Sequence, residues 1–189
     1  MWPAAALVGA GAVLAMNSFT GVKNLNEVRG RDGKTYKVKN LPDKQEAADM
    51  MSEICDRLNK LITKYRDDPA SAADPRTKVL IDRFKVENIC ENEITANSTS
   101  YSENKGEKIV VCLRDKEPPH KFVEINTVMF VVLHEMAHLM TTTTGHTPEF
   151  WANFRRILQD AVGIGIYQNR DYSRSPVSYC GMRITDNPL

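Results

Sequence analysis

The sequence predicts an α+β domain in which a small, mostly antiparallel sheet packs against one central helix. Apolar residues recur every three or four positions over residues 43–67, which is typical of a helix with one buried face. The β-branched run at residues 108–113 follows a polar turn and indicates a hairpin strand. Residues 124–140 are apolar nearly all round, as expected of a helix at the centre of a fold. A chain of 189 residues is long enough for one such domain.

The first region, residues 2–19, is an apolar stretch without charge, close to the shortest length that crosses a bilayer, about 17 residues. No basic residue precedes it, unlike a secretory signal, and the first basic residues follow it. We therefore expect residues 1–21 to form a membrane anchor and residues 22–189 to form one domain on the cytoplasmic side. An Ala/Gly-rich tail or a helix buried against the domain are the alternatives.

The next elements follow from turn signals and periodicity. A polar turn at residues 31–34 separates two β-prone pieces within residues 22–42 and predicts a hairpin. Asp43 is a suitable N-cap for the helix at residues 43–67, and residues 77–85 predict a short helix. A second hairpin is predicted at residues 94–114, with its turn at residues 104–106.

Charge and cysteine usage exclude some classes of protein. Lys and Arg number 25 against 24 Asp and Glu, so the net charge of +1 provides no field that attracts nucleic acid, and no nucleic-acid binding is evident. The cysteines are too scattered for a zinc finger or ribbon. Two disulfides are possible, but buried reduced thiols are favoured for all four cysteines: Cys55, Cys90, Cys112 and Cys180.

The sequence HEMAH within the apolar helix carries the predicted chemistry. His134 and His138 are four positions apart, so a helix projects both imidazoles from one face towards one ion. Glu135 lies beside them and suits a general base that acts on water held by Zn²⁺. A chance histidine pair in a core is the alternative, but these polar groups are costly in an apolar helix without a polar role.

A catalytic zinc needs a third protein ligand and one open position. His146 follows a seven-residue connector that contains four threonines and a glycine, which indicates a turn out of the helix. Thr147 is a good N-cap and Pro148 a good first residue for the next helix. We therefore predict that His134, His138 and His146 hold one zinc ion and that no other cofactor is bound.

The segment HEMAHLMTTTTGHTPEFW resembles the zinc-binding core of SprT-like and WLM metallopeptidases and of the related minigluzincin-like proteins. The resemblance implies a zincin-like fold, zinc ligation by the three histidines and catalysis by Glu135. It also implies that Phe150 and Trp151 pack behind the third ligand. The strand at residues 108–114 would be the edge strand along which a protein or peptide substrate lies. The chain is also similar to zincin-like proteins of large DNA viruses and algae.

The leading hypothesis is a membrane-anchored zinc peptidase that hydrolyses peptide bonds. One alternative is a structural or virion-associated protein with a zincin fold and little turnover, within a larger viral or membrane assembly. Another is a DNA–protein crosslink protease. The metzincin pattern is absent, because Thr144 stands where its third histidine would be. Four residues late in the chain are candidates for stabilising an oxyanion, although ordinary packing or surface roles are favoured for each: Tyr167, Tyr172, Arg174 and Tyr179.

Overall fold

The computed structural model describes residues 25–93, 100–104, 106–116 and 118–189. The predicted membrane anchor lies outside these residues, so the anchor and the cytoplasmic placement stay predictions. Among the helices within the described ranges, none is both long enough and apolar enough to span a bilayer.

The first two strands form the predicted N-terminal hairpin. β1 (Leu25–Arg29) pairs antiparallel with β2 (Thr35–Lys39). The turn between them is closed by the Gly30 N–H, which donates to the Lys34 carbonyl at 2.8 Å. Gly33 takes a φ of 82°, a left-handed conformation that glycine adopts at little cost. The prediction of a hairpin from the turn signal is confirmed.

The first helix, α1 (Lys44–Asp67), buries the apolar face that its periodicity predicts. Asp43 occupies the N-cap position, but its side chain makes no capping hydrogen bond. It accepts instead from the fully buried Arg114, with Nη2 and Oδ1 2.9 Å apart. The predicted capping role of Asp43 is therefore wrong, because a buried cation 71 residues away competes for the same carboxylate.

Two short helices follow α1. They are α2 (Pro69–Ala73) and α3 (Pro75–Arg83), and the second corresponds to the short helix predicted at residues 77–85. Each begins at a proline preceded by a capping aspartate, Asp68 or Asp74, whose carboxylate accepts a backbone N–H of the first turn. α3 packs against the central helix that carries HEMAH.

The central sheet contains three strands, β3 (Ile89–Glu91), β4 (Tyr101–Glu103) and β5 (Lys108–Val111), in the order β3-β5-β4. β4 and β5 are antiparallel and confirm the later part of the predicted hairpin, whereas residues 94–99 lie outside the described residues. β5 pairs in parallel with β3, a strand that the sequence did not predict. β5 therefore lies in the middle of the sheet. The prediction that it is the edge strand is wrong.

The two longest elements of the second half are α4 (Ile125–Met140) and α5 (Pro148–Gly163), which pack together. α4 is buried on nearly every side, as its apolar composition predicts. A short antiparallel hairpin follows, β6 (Val177–Tyr179) with β7 (Met182–Ile184), which was not predicted. The helices packed on small sheets confirm the α+β class. Three of the four strand pairings are antiparallel among the described strands.

The cysteines do not share one state. Cys112 at the end of β5 and Cys180 in the β6–β7 turn form a disulfide across 68 residues of sequence. Cys55 and Cys90 are buried free thiols. The favoured assignment of four reduced thiols is thus correct for two and wrong for two. Only the tertiary fold brings the Cα atoms of the bonded pair to 6.3 Å, and the spacing of the cysteines in the sequence could not show it.

Candidate metal centre

The centre is built first on α4, where two histidines lie one turn apart. The Nε2 atoms of His134 and His138 are 3.2 Å from each other. The neighbouring residues Leu133, Met136 and Ala137 are fully buried. Their packing holds the helix in place and so fixes the face that carries the two rings. Both imidazoles stay partly exposed. The i and i+4 spacing therefore gives the geometry that the sequence predicted.

The third histidine comes from the segment between α4 and α5, residues 141–147, which is called the connector from here on. His146 precedes Thr147, whose side chain caps α5 by accepting the Phe150 N–H, and Pro148 occupies the first turn, as predicted. The His146 Nε2 atom lies 3.1 Å from that of His134. The structure thus brings the three predicted ligands together, with one nitrogen from each within 4.8 Å of the others. His146 is the exposed member of the set.

The three imidazoles fit a cation better than they fit one another. A neutral ring nitrogen carries either one proton or one lone pair, and the His134 Nε2 atom faces two other nitrogens at hydrogen-bond distance. It cannot satisfy both. Tetrahedral zinc with Zn–N bonds of about 2.0–2.1 Å places its ligand nitrogens about 3.3 Å apart, close to these separations. The three nitrogens therefore form a donor set that could hold one metal ion.

The surroundings keep two of these rings in the neutral form that binds metal. Burial lowers the pKa of His134 to about 3, and the positive charge that His138 and His146 can carry adds to the effect. Burial together with His146 lowers the pKa of His138 to about 4. At neutral pH neither ring holds an extra proton that a metal ion would have to displace.

Glu135 lies on α4 between the two histidines and is only 7% exposed. Burial raises the pKa of its carboxyl group, whereas the hydroxyl and the backbone N–H of Ser102 lower it. Ser102 is the middle residue of β4, which ends the strand order β3-β5-β4. The edge strand that lies beside Glu135 is therefore β4. The strand at residues 108–114, which was expected there, lies in the middle of the sheet.

Aromatic rings form the floor of the centre. The Phe150 ring lies 4.8 Å from His134, 4.3 Å from His138 and 4.7 Å from His146, measured between centroids. Trp151 lies 5.8 Å from His146. Phe150 is fully buried. Both residues pack behind the third histidine, as the family resemblance implied.

The four candidates for oxyanion stabilisation have other places. Tyr167 and Tyr172 are buried against Phe130 in the core, and the Arg174 side chain is 87% exposed. Tyr179 is fully buried, and its hydroxyl donates to the Cys112 carbonyl at 2.8 Å. Burial, with a smaller contribution from the charge of Glu135, raises the pKa of Tyr179. The favoured packing and surface roles agree with these positions.

The sequence analysis did not identify two polar residues near the centre, Ser102 and Glu149. Nothing local marks Ser102, because only the pairing of β4 and its approach to α4 place it beside Glu135. Glu149 had a visible signal: an acidic residue in the first turn of a helix that follows a run of threonines. Such a carboxylate can accept hydrogen bonds from a preceding loop.

Comparison with known proteins identifies relatives of this chain. The sequence profile of the WLM domain matches residues 76–176, from α3 to the start of the β6–β7 hairpin. The chain is also 33% identical over 158 residues to an uncharacterized protein of Acanthamoeba polyphaga mimivirus, covering 82% of this chain and 80% of that protein. The chain belongs to the WLM domain family. The resemblance to WLM-type metallopeptidases and to proteins of large DNA viruses is confirmed.

Two further similarities are to a second viral protein and to a solved structure. An uncharacterized protein of Invertebrate iridescent virus 6 is 31% identical over 80 residues, covering 42% of this chain and 44% of that protein. The crystal structure of Wss1 from Saccharomyces cerevisiae superposes with a TM-score of 0.50 at 21% identity, covering 65% of this chain and 82% of that chain. At this identity the likeness shows the fold, and it confirms the predicted zincin-like architecture of the WLM domain.

Proposed function

We propose that this WLM protein is a zinc-dependent peptidase that hydrolyses peptide bonds in protein substrates. His134, His138 and His146 hold the zinc, and Glu135 is the general base. The observation that carries the proposal is the convergence of three Nε2 atoms, two pairs of them at 3.1 and 3.2 Å, beside one buried carboxylate. Membership of a metallopeptidase-like family supports it.

Each group has a defined task in this mechanism. When bound, zinc supplies Lewis acidity, which lowers the pKa of water and polarises a carbonyl group. Glu135 accepts a proton from the attacking water and passes it to the nitrogen of the leaving amine. Burial that raises its carboxyl pKa brings this group closer to the pH at which it must both accept and donate a proton.

The substrate site follows from the sheet. β4 is the terminal strand of the described sheet and carries Ser102 beside Glu135. An extended peptide that pairs with β4 gains main-chain hydrogen bonds, and its carbonyl carbon then lies near the base. We propose β4 as the substrate-binding strand. An extended segment of protein is the substrate shape that such an edge accepts.

The test is metal analysis and cleavage of fluorescence-quenched casein by the zinc-loaded full chain. We expect about one zinc per chain for the wild type. Glu135→Gln should keep the zinc and lose cleavage by at least about a hundredfold, the lower end of what a positioned base contributes. His138→Ala should lose both. Normal cleavage by the glutamine variant would overturn the mechanism.

The same assay distinguishes the rival functions. Zinc-loaded wild type that is inert against a broad set of proteins, yet assembles in fixed stoichiometry with other proteins, would favour a structural role in a virion. Cleavage that requires added DNA and weakens as salt rises would favour the crosslink protease. Cleavage without DNA supports the general peptidase that we propose.

A further inference from the structure

The third histidine stands on a segment that apolar packing does not hold. Residues 142–145 of the connector are all exposed, as is His146 itself. The connector contains Gly145 at a φ of 83°, where an added Cβ would meet nothing within 4 Å. Exposed loops of this kind are normally among the more mobile parts of a protein. The His146 ring rests on Phe150 and Trp151, but the path of the exposed residues that lead to it must be set by polar contacts.

One carboxylate accepts hydrogen bonds from two successive residues of the connector. The Glu149 oxygens accept the backbone N–H groups of Thr142 and Thr143, at 3.0 and 3.2 Å. The same oxygens accept the two threonine hydroxyls, at 2.9 Å from Thr142 and 2.8 Å from Thr143. Two successive residues thus point both their amides and their hydroxyls at one side chain. We call this arrangement the Glu149 clamp.

The clamp is anchored to α5. Glu149 lies in the first turn of that helix, whose cap Thr147 has its hydroxyl 2.8 Å from the Thr143 hydroxyl. His146 directly precedes the cap. Because the clamp ties Thr142 and Thr143 to the start of α5, it fixes both the approach of the chain to His146 and its departure.

The beginning of the connector is tied independently. Thr141 is fully buried, and its hydroxyl donates to the Ala137 carbonyl at 2.6 Å. The Asn153 amide, also on α5, donates to the same hydroxyl at 3.0 Å, and Arg83 donates to the Thr141 carbonyl at 3.1 Å. Residues 142–145 are therefore the part whose path depends on Glu149.

We propose that Glu149 is a positioning residue of the metal centre, which folds the connector so that His146 meets His134 and His138 at one ion. This inference rests on the proposed zinc site and adds to it the group that completes the site. Hydrogen bonds from the backbone N–H of Thr142 and the hydroxyl of Thr143 hold the pKa of Glu149 to about 2. The clamp is therefore ionised throughout the pH range in which histidine binds metal.

Substitution by glutamine tests the clamp with little change of shape. A carboxylate offers two acceptor oxygens, whereas an amide offers one and presents N–H groups at the other position. The backbone N–H groups of Thr142 and Thr143 can only donate, so one of them loses its acceptor in Glu149→Gln. Outer-shell groups of metal sites typically contribute 10–100-fold to metal affinity. We expect a loss of about that size.

The experiment is a competition titration of zinc between a chelator and the full chain. Asp56→Asn is the matched control, because it makes the same chemical change at an exposed carboxylate of α1, paired with Lys60. Glu149→Asp, which keeps both oxygens, should recover part of the affinity. The Co²⁺ absorption spectrum should change in Glu149→Gln, since displacement of His146 would remove one imidazole from the ligand set. Thermal unfolding of the metal-free protein should stay close to that of the wild type.

The outcomes separate the two proposals. Wild type that binds no zinc overturns the proposed function, and this inference with it. If the wild type binds zinc and the zinc affinity of Glu149→Gln lies within twofold of the wild-type value, this inference alone is overturned. If Glu149→Gln fails to fold, Thr142→Val combined with Thr143→Val removes two hydroxyl donors and leaves Glu149 in place. That pair should lower zinc affinity severalfold, and an unchanged affinity counts against the clamp.

Discussion

The proposed metal centre joins two regions that hold their histidines in different ways. His134 and His138 stand on α4, a helix whose residues are mostly buried and which packs against α3 and α5. His146 stands on an exposed connector that is held by hydrogen bonds to Glu149 and Thr147. The first pair is fixed by apolar packing together with the helical repeat. The third histidine also packs on Phe150 and Trp151, but the exposed segment that carries it is held by a polar network.

This difference divides the centre into two parts. The preformed part is His134 and His138 on α4, and the conditional part is His146, whose position depends on the hydrogen bonds of the connector. Packing in a buried helix does not depend on any one polar contact, so the spacing of the first two nitrogens should survive most surface substitutions. Each hydrogen bond of an exposed network contributes little net stability, about 1 kcal/mol. The site of three nitrogens therefore depends on several weak contacts acting together at His146.

The largest expected effect comes from removing one ligand of each kind. His134→Ala and His146→Ala should each lower zinc affinity by more than about a hundredfold, beyond what outer-shell groups contribute. His134→Ala should also lower the melting temperature of the metal-free protein more than His146→Ala does, because the His134 ring is half-buried against Phe150 and Phe154 at 4.8 and 5.2 Å, whereas His146 is exposed. Chelator competition and calorimetry of metal-free protein measure the two effects. Equal losses of melting temperature would contradict the division into two regions.

The next effect concerns the ring that both regions share. Phe150 is fully buried and contacts all three imidazoles, so Phe150→Ala should lower the free energy of unfolding by about 3–5 kcal/mol and also weaken zinc binding. Denaturant titration of metal-free protein gives the first quantity. Val162→Ala on the same helix, at a position that is 38% exposed, is the control and should change stability by less than about 0.5 kcal/mol. A small effect at Phe150 would mean that the connector, and not this ring, supports the centre.

The elements that the sequence predicts well are those with a long, regular pattern. α1 and α4 each begin one residue later than expected and end at the expected residue, because three- and four-residue spacing and continuous apolarity over many positions leave few alternatives. β3, β6 and β7 are three residues each, too short for an alternating pattern to stand out. The parallel pairing of β3 also depends on a partner 20 residues along the chain.

The same reasoning applies to the site. The three histidines could be predicted because helix periodicity and a capping residue place them, and both are local properties. Ser102 and the Cys112–Cys180 disulfide depend on contacts between residues far apart in the sequence. The role of Asp43 was misjudged for a similar reason: a distant buried arginine takes its carboxylate. Local pattern thus locates ligands, and tertiary contact determines what supports them.

The smallest effect tests where the conditional part ends. Thr147→Ala removes the cap of α5 and the partner of the Thr143 hydroxyl, so we expect a loss of about 0.5–1 kcal/mol in the free energy of unfolding and a severalfold loss of zinc affinity. Asp68→Ala removes the cap of α2, a helix away from the histidines, and should leave zinc affinity unchanged. Denaturant and zinc titrations of both variants give the comparison. If the two variants lower zinc affinity equally, zinc binding follows the overall stability of the protein. The claim that His146 depends specifically on its flanking contacts would then be wrong.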